Sequence, residues 1–140
     1  MNRTASAHWE GGLKDGKGTV SCQSGVLKDT QYSFKTRFED GIGTNPEELI
    51  AAAHAGCFTM ALSSELGKAG MTPQALDTNA TLTLEMLPAG PTITTIHLDV
   101  RAKIPGADAQ KFSDVASTAK ANCPVSRVLN ARISMDAKLV

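Results

Sequence analysis

Aromatic residues are scarce in this chain. One Trp, one Tyr and four Phe make up 4% of its 140 residues, too few for the stacking platforms of a single-strand nucleic-acid binder. Charge of one sign is also lacking. Fourteen Lys and Arg balance fourteen Asp and Glu, interleaved rather than blocked, so there is no basic stripe for phosphates. Both absences argue against nucleic acid. The opening Met1-Asn2-Arg3-Thr4-Ala5-Ser6-Ala7-His8 has no apolar stretch of the kind a signal peptide needs. The longest apolar-rich run, Leu49 to Leu62, holds His54, Gly56 and Thr59, and at fourteen residues it is too short to span a bilayer. A cytoplasmic protein without membrane attachment is expected. Cysteine is sparse as well: Cys22, Cys57 and Cys123 are an odd number, unlike the even framework of a small secreted domain. In a reducing compartment, paired cysteines tend to be catalytic, redox-sensing or metal-bound.

What is present suffices for a core. Apolar residues are 41% of the chain, and its length fits a single domain over residues 1–140. Glycines at 11, 12, 16, 18 and 25 punctuate short alternating segments, which predict strands near 3–9, 17–23 and 30–38. In the third, Tyr32, Phe34 and Phe38 share one face, and Lys35 and Arg37 the other. Arg37 is thus expected to point away from the core. A long helix follows from Pro46 to about Lys68, with Asn45 as N-cap, Pro46 in first position and Glu48 closing a capping box. A rival frame with Thr44 as cap would give the box to Glu47. The helix has little polar face, so it should be buried on most sides, and in so small a chain that calls for a second subunit. Thr81–Leu87 and Ile93–Val100 alternate as strands around the Pro88-Ala89-Gly90-Pro91 turn. Residues from Asp108 to about Ala121 read as an amphipathic helix with Phe112, Val115 and Ala119 inward. A short helix starts near Pro124, and 133–139 alternate as a closing strand. The order βββ-α-ββ-αα-β argues an α+β fold.

The chemistry-bearing residues admit more than one reading. Cys57, mid-helix and among apolar neighbours, is by position alone a small buried hydrophobe with an inert thiol. Cys123 looks more reactive. The residue before a proline is pushed out of the helical region, and Pro124 suits the start of the next helix, so Cys123 sits beside a positive helix end that lowers thiol pKa. Cys22 shares a strand face with an apolar residue and reads as inert. His54 and Cys57, three apart on a helix, could give two ligands to zinc, but without a second paired motif the signal is weak. His8 and His97 lie in strands with no ligand partner nearby. Glu48 has a capping task, whereas Glu47 needs none beyond complementing the helix end.

The run Thr36-Arg37-Phe38-Glu39-Asp40-Gly41-Ile42-Gly43-Thr44-Asn45-Pro46-Glu47-Glu48-Leu49, continuing through Ala53-His54-Ala55-Gly56-Cys57-Phe58, resembles the signature of the OsmC (osmotically inducible protein C) family. Asn122-Cys123-Pro124-Val125-Ser126 resembles that family's second cysteine motif. The related organic hydroperoxide resistance proteins share the Asn-Pro-Glu start and the Ala-x-Cys-Phe end. The order of elements fits the family over essentially the whole chain. The resemblance implies a peroxidase in which Cys57 attacks the peroxide and becomes a sulfenic acid, and Cys123 resolves it as a disulfide. It implies that Arg37 stabilises the thiolate and orients the peroxide, and that Glu47 holds Arg37. It further implies an intertwined homodimer without metal or organic cofactor, organic hydroperoxides as substrates, and a dithiol reductant such as a dihydrolipoyl group.

Helix arithmetic adds a constraint. Ten residues separate Glu47 from Cys57, about 15 Å of rise along one helix. An arginine held by Glu47 does not comfortably reach Cys57 on the same straight helix, so a site shared across a two-fold axis is expected. The rival readings are a zinc-binding domain built on His54, Cys57 and Cys123, a redox-inactive dimeric ligand-binding module, and, more weakly, a cysteine hydrolase using His54.

Overall fold

The alternating segments at the N-terminus pair into an antiparallel sheet of three strands, β1 (Ala5–Glu10), β2 (Lys17–Cys22) and β3 (Thr30–Tyr32), in the order β1-β2-β3. This is seen in a computed structural model that describes residues 1–140, in which Met1–Leu49 form one unit and Ile50–Val140 another. In the first unit Gly18 is paired with Trp9 and Tyr32 on either side, and the two rings meet over it at 5.5 Å between centroids. A Cβ at Gly18 would lie 2.5 Å from the Tyr32 ring and 2.7 Å from Trp9, so only glycine admits this stack.

The third strand is shorter than the alternation predicts. It ends at Tyr32, and Phe34–Phe38 form a short helix, α1. Ser33 caps it: its hydroxyl accepts from the Thr36 amide, while the Thr36 hydroxyl accepts from the Ser33 amide. The expected strand face therefore does not exist, and Arg37 leaves a helical turn rather than a strand. The pattern misled because Phe34 and Phe38 are four apart, a spacing that puts them on one side of a strand or of a helix. Here they meet on α1 with ring centroids 4.9 Å apart and planes tilted by 45°. After α1 the chain returns through Gly43 (φ +130°), where a Cβ would sit 2.3 Å from the Gln31 carbonyl oxygen. The Thr44 amide then donates to that same carbonyl at 2.8 Å.

The long helix, α2 (Pro46–Lys68), starts as expected, with the Glu48 amide donating to Asn45 Oδ1 at 2.8 Å. The second half of the capping box is not made. The Glu48 carboxylate instead accepts from the Thr44 hydroxyl at 2.7 Å, and Asn45 Nδ2 donates to the Thr36 carbonyl. Both diversions anchor the helix start to the turn before it.

In the second unit, β4 (Ala75–Leu87) and β5 (Gly90–Lys103) form a long antiparallel hairpin, and β6 (Arg132–Leu139) adds parallel to β5, giving the order β4-β5-β6. Both hairpin strands outrun the stretches with the clearest alternation. The parallel pairing needs a crossover, supplied by α3 (Ala109–Asn122) and α4 (Pro124–Val128). One face of the sheet is apolar, with Ile96, Leu98, Val100 and Ala102 buried on β5. Against it pack Phe58, Leu62 and Leu66 of α2 and Phe112, Ala116 and Ala119 of α3. Burying each large side chain contributes about 1.5–3 kcal/mol. The Thr59 hydroxyl reaches Thr78 on β4 at 2.8 Å.

By length and composition α2 could cross a bilayer, but the stripe His54, Phe58, Leu62, Leu66 is built into the core. Its other side carries Ala52, Ala53, Gly56 and Met60, all exposed, with Met60 at 77%. An open, apolar helix face is unusual on the surface of a soluble monomer.

Candidate functional site

Two pairs of side chains stand out. The first lies in the unit Met1–Leu49. Arg37, on α1, grips Glu47 in the first turn of α2, with Nε and Nη2 each donating to Oε1 at 2.8 Å. The guanidinium also lies over the Phe38 ring, 5.2 Å from its centroid. The glutamate is largely covered and its Oε2 is buried without a partner, while the arginine keeps 40% of its side-chain surface open. The open part borders a cleft of about 160 Å³ walled by Trp9, Tyr32, Phe34, Phe38 and Pro46. A cation with a fork of donors at the edge of an aromatic cleft suits a molecule with a polar head and an apolar body.

The second pair lies in the unit Ile50–Val140. Cys123 ends α3 and begins α4, and its thiol points at Cys57 on α2, with the sulfurs 3.2 Å apart. Both are free thiols. A disulfide needs a separation of about 2.0 Å, so the bond requires a closure of roughly 1 Å.

Position at the helix start is what the residue order around Pro124 predicts for Cys123. Burial there pushes the thiol up, but the Ser126 amide, the Cys57 thiol, the Ser126 hydroxyl and the Val125 amide outweigh it, leaving Cys123 below the ordinary value. Cys57 is held above its ordinary value by burial and by its neighbour Cys123, with only the Val125 amide opposing. Accessibility runs the other way. Cys123 is fully buried, whereas Cys57 keeps some exposure. Within one chain the better ionised sulfur is thus the one an incoming molecule cannot reach.

His54, one turn before Cys57, is fully buried, and its Nε2 lies 2.8 Å from the Ser126 hydroxyl. No group of three or more His, Cys, Asp or Glu side chains is gathered as a metal would require, and the one ring nitrogen of His54 with a partner faces a serine. Cys22 lies on β2 with no second thiol beside it. Reading the residues alone missed Ser126. Its signal is a hydroxyl three places after a thiol at a helix start, where side chain and N-cap meet.

The chain is similar to known proteins over most of its length. The family model described as OsmC-like protein matches residues 39–138. Over 139 residues the chain is 53% identical to the Escherichia coli protein named Peroxiredoxin OsmC, covering 99% of this chain and 97% of that one. The chain belongs to the OsmC-like family. Solved structures share the OsmC-like fold at lower identity. An organic hydroperoxide resistance protein from Elizabethkingia anophelis superposes with a TM-score of 0.78 at 23% identity, over 100% of this chain and 99% of that one. OhrB of Bacillus subtilis, also an organic hydroperoxide resistance protein, gives 0.74 at 24% identity, over 96% and 98%. The OsmC-like match includes Glu47, Cys57 and Cys123, and the E. coli alignment extends the likeness to nearly the whole chain, α1 and β1–β3 included.

Proposed function

We propose that this chain is a cytoplasmic thiol peroxidase that reduces organic hydroperoxides to alcohols. The observation that carries the reading is the pair of free thiols, Cys57 and Cys123, at 3.2 Å. Cys57 is the partly exposed one and takes the peroxide. Its thiolate attacks the outer peroxide oxygen, the O–O bond breaks, and the alkoxide leaves and is protonated to the alcohol. The resulting sulfenic acid condenses with Cys123 to a disulfide and water, a reversible state that protects against over-oxidation. A dithiol, such as a dihydrolipoyl group, then restores both thiols. The relatives named as a peroxiredoxin and as organic hydroperoxide resistance proteins support this chemistry.

Arg37, fixed by Glu47, is the activating cation, and it serves the Cys57 of a second subunit. Three observations support this arrangement. Nothing cationic in its own chain lowers the Cys57 pKa. Ten residues separate Glu47 from Cys57 in sequence, about 15 Å of ideal helical rise. The Ala52–Met60 side of that helix is apolar and open, as the buried face of a homodimer would be. A guanidinium beside Cys57 would reverse the order of ionisation of the two thiols and place the thiolate on the accessible one. The aromatic cleft beside Arg37 favours an alkyl hydroperoxide over hydrogen peroxide.

The direct test is peroxide consumption with dihydrolipoamide as donor, comparing cumene hydroperoxide with hydrogen peroxide. The expected result is turnover with both and a higher kcat/KM for the organic substrate. No loss of thiol on exposure to either would leave the redox-inactive binding module as the better reading.

The carboxylates should separate in the same assay. Glu47→Gln loses the charge that fixes Arg37 and should slow the first step on the order of tenfold, in the range of a hydrogen bond to a charged group. Glu48→Gln can still accept from Thr44 and should stay near the unaltered rate. Equal damage from both would mean that Glu47 does no more than Glu48 to stabilise the start of the helix.

A further inference from the structure

Two polar side chains beside the thiols have no task in the scheme above. His54 is fully buried on α2, with Nε2 at 2.8 Å from Ser126 Oγ and Nδ1 buried without any partner. Ser126 is the third residue of α4, three places after Cys123 at the start of that helix, and its hydroxyl and amide hold the Cys123 thiol down. A chain of groups therefore runs His54, Ser126, Cys123, Cys57, joining residues 72 and 66 positions apart in sequence. Buried polar groups with an unmet partner are rare enough to need a reason.

A serine hydroxyl carries one proton and can accept another bond, so this chain has two consistent settings. With Cys123 as a thiol, its S–H turns from Cys57, to which it donates in the structure, toward Ser126, and Ser126 donates to His54 Nε2, leaving the ring proton on the orphaned Nδ1. With Cys123 as a thiolate, Nε2–H donates to Ser126 and Ser126 donates to sulfur. We propose that His54, acting through the Ser126 hydroxyl, is a positioning residue that takes up the Cys123 proton when the disulfide closes. The inference rests on the peroxidase reading and extends it to the resolving step.

The step balances. Cys123 passes its proton to Ser126 as Ser126 passes its own to His54 Nε2. The freed thiolate attacks the Cys57 sulfenic sulfur, the S–S bond forms, and the S–O bond breaks with its electron pair leaving on hydroxide. The proton returns from His54 to Ser126 and from Ser126 to that hydroxide, giving water and a neutral ring. Cys123 is oxidised and the sulfenic sulfur reduced, with no further reactant. Burial holds the imidazole below its ordinary pKa, so it is neutral and able to accept before the step. Within the chain, burial is the cause acting on His54, and the groups acting on Cys123 are Cys57 of α2 and Ser126 and Val125 of α4.

The test separates the two half-reactions. Reduced protein receives one equivalent of cumene hydroperoxide, is quenched with dimedone at intervals, and is weighed intact to follow sulfenic acid and disulfide from about pH 6 to 9. The rate of hydroperoxide loss is the internal reference for the first step. At the acid end, Ser126→Ala should close the disulfide at least about tenfold more slowly than the unaltered protein. The gap should shrink as pH rises and solvent hydroxide takes over. His54→Gln keeps an amide near the Nε2 position, can still bond Ser126 and cannot take a proton, so it should show the same deficit and the same pH dependence. A deficit equal at every pH, or disulfide closure by His54→Gln at the unaltered rate, would overturn the relay in favour of a packing role. Unaltered protein that consumes no hydroperoxide would remove the peroxidase reading itself, and this inference with it.

Discussion

Cys57→Ser should abolish hydroperoxide reduction, leaving only the uncatalysed loss seen with the dithiol alone. Cys123→Ser should behave differently. It should consume one hydroperoxide per subunit and then, under excess peroxide, accumulate sulfinic acid at Cys57, because no neighbouring thiol intercepts the sulfenic acid. Exposure supports this assignment, since Cys57 is open in part and Cys123 is buried. Local electrostatics within one chain argue the reverse, since the Ser126 and Val125 amides hold Cys123 down while burial lifts Cys57. Mass spectrometry of each variant after one equivalent of cumene hydroperoxide decides between them. If Cys57→Ser keeps the first turnover and Cys123→Ser loses it, the roles are exchanged. Cys22→Ser should be nearly silent, as its thiol has no partner.

The second large effect is complementation between subunits. On the proposed roles of Arg37 as activating cation and Cys57 as attacking sulfur in a homodimer, Arg37→Ala and Cys57→Ser homodimers should each be nearly inactive. In a heterodimer of the two, the intact Cys57 belongs to the chain without Arg37, and the partner still brings its own arginine. A shared site then restores one active centre, about half the unaltered activity if the two centres are independent. Tagging the chains differently and purifying the mixed species makes the measurement clean. A purified heterodimer no more active than its parents would place Arg37 and Cys57 of one chain in one site. The same preparation reports on the open α2 face. Met60→Asp there should weaken the dimer, read by sedimentation, because it sets a charge into an apolar contact.

Short-range chemistry made parts of this molecule readable from residue order. Asn45-Pro46 announces a helix start because the cap bond to the Glu48 amide spans three residues. Cys123-Pro124 announces a break and a new helix because proline restricts the residue before it. The polar-apolar alternation of 93–100 announces a half-buried strand, and Ile96, Leu98 and Val100 are buried. The two cysteine motifs were specific enough to point to the family. Other features turned on ambiguity in the pattern. Phe34 and Phe38 fit a strand or a helix equally, and the Ser33–Thr36 cap tipped them into α1, moving Arg37 off its expected strand.

The site itself depended on distance. No spacing rule brings Cys57 to Cys123 across 66 residues, or His54 to Ser126 across 72. Those contacts exist because α2 and the α3–α4 crossover pack on the same face of the β4-β5-β6 sheet. Burial of the two thiols is likewise a property of that packing, and it ranks their accessibility opposite to what their immediate neighbours suggest. Residue types and local hydrogen bonds decided which groups could react. Close packing of segments far apart in the chain decided which of them meet, because only the folded core holds their sulfurs within reach.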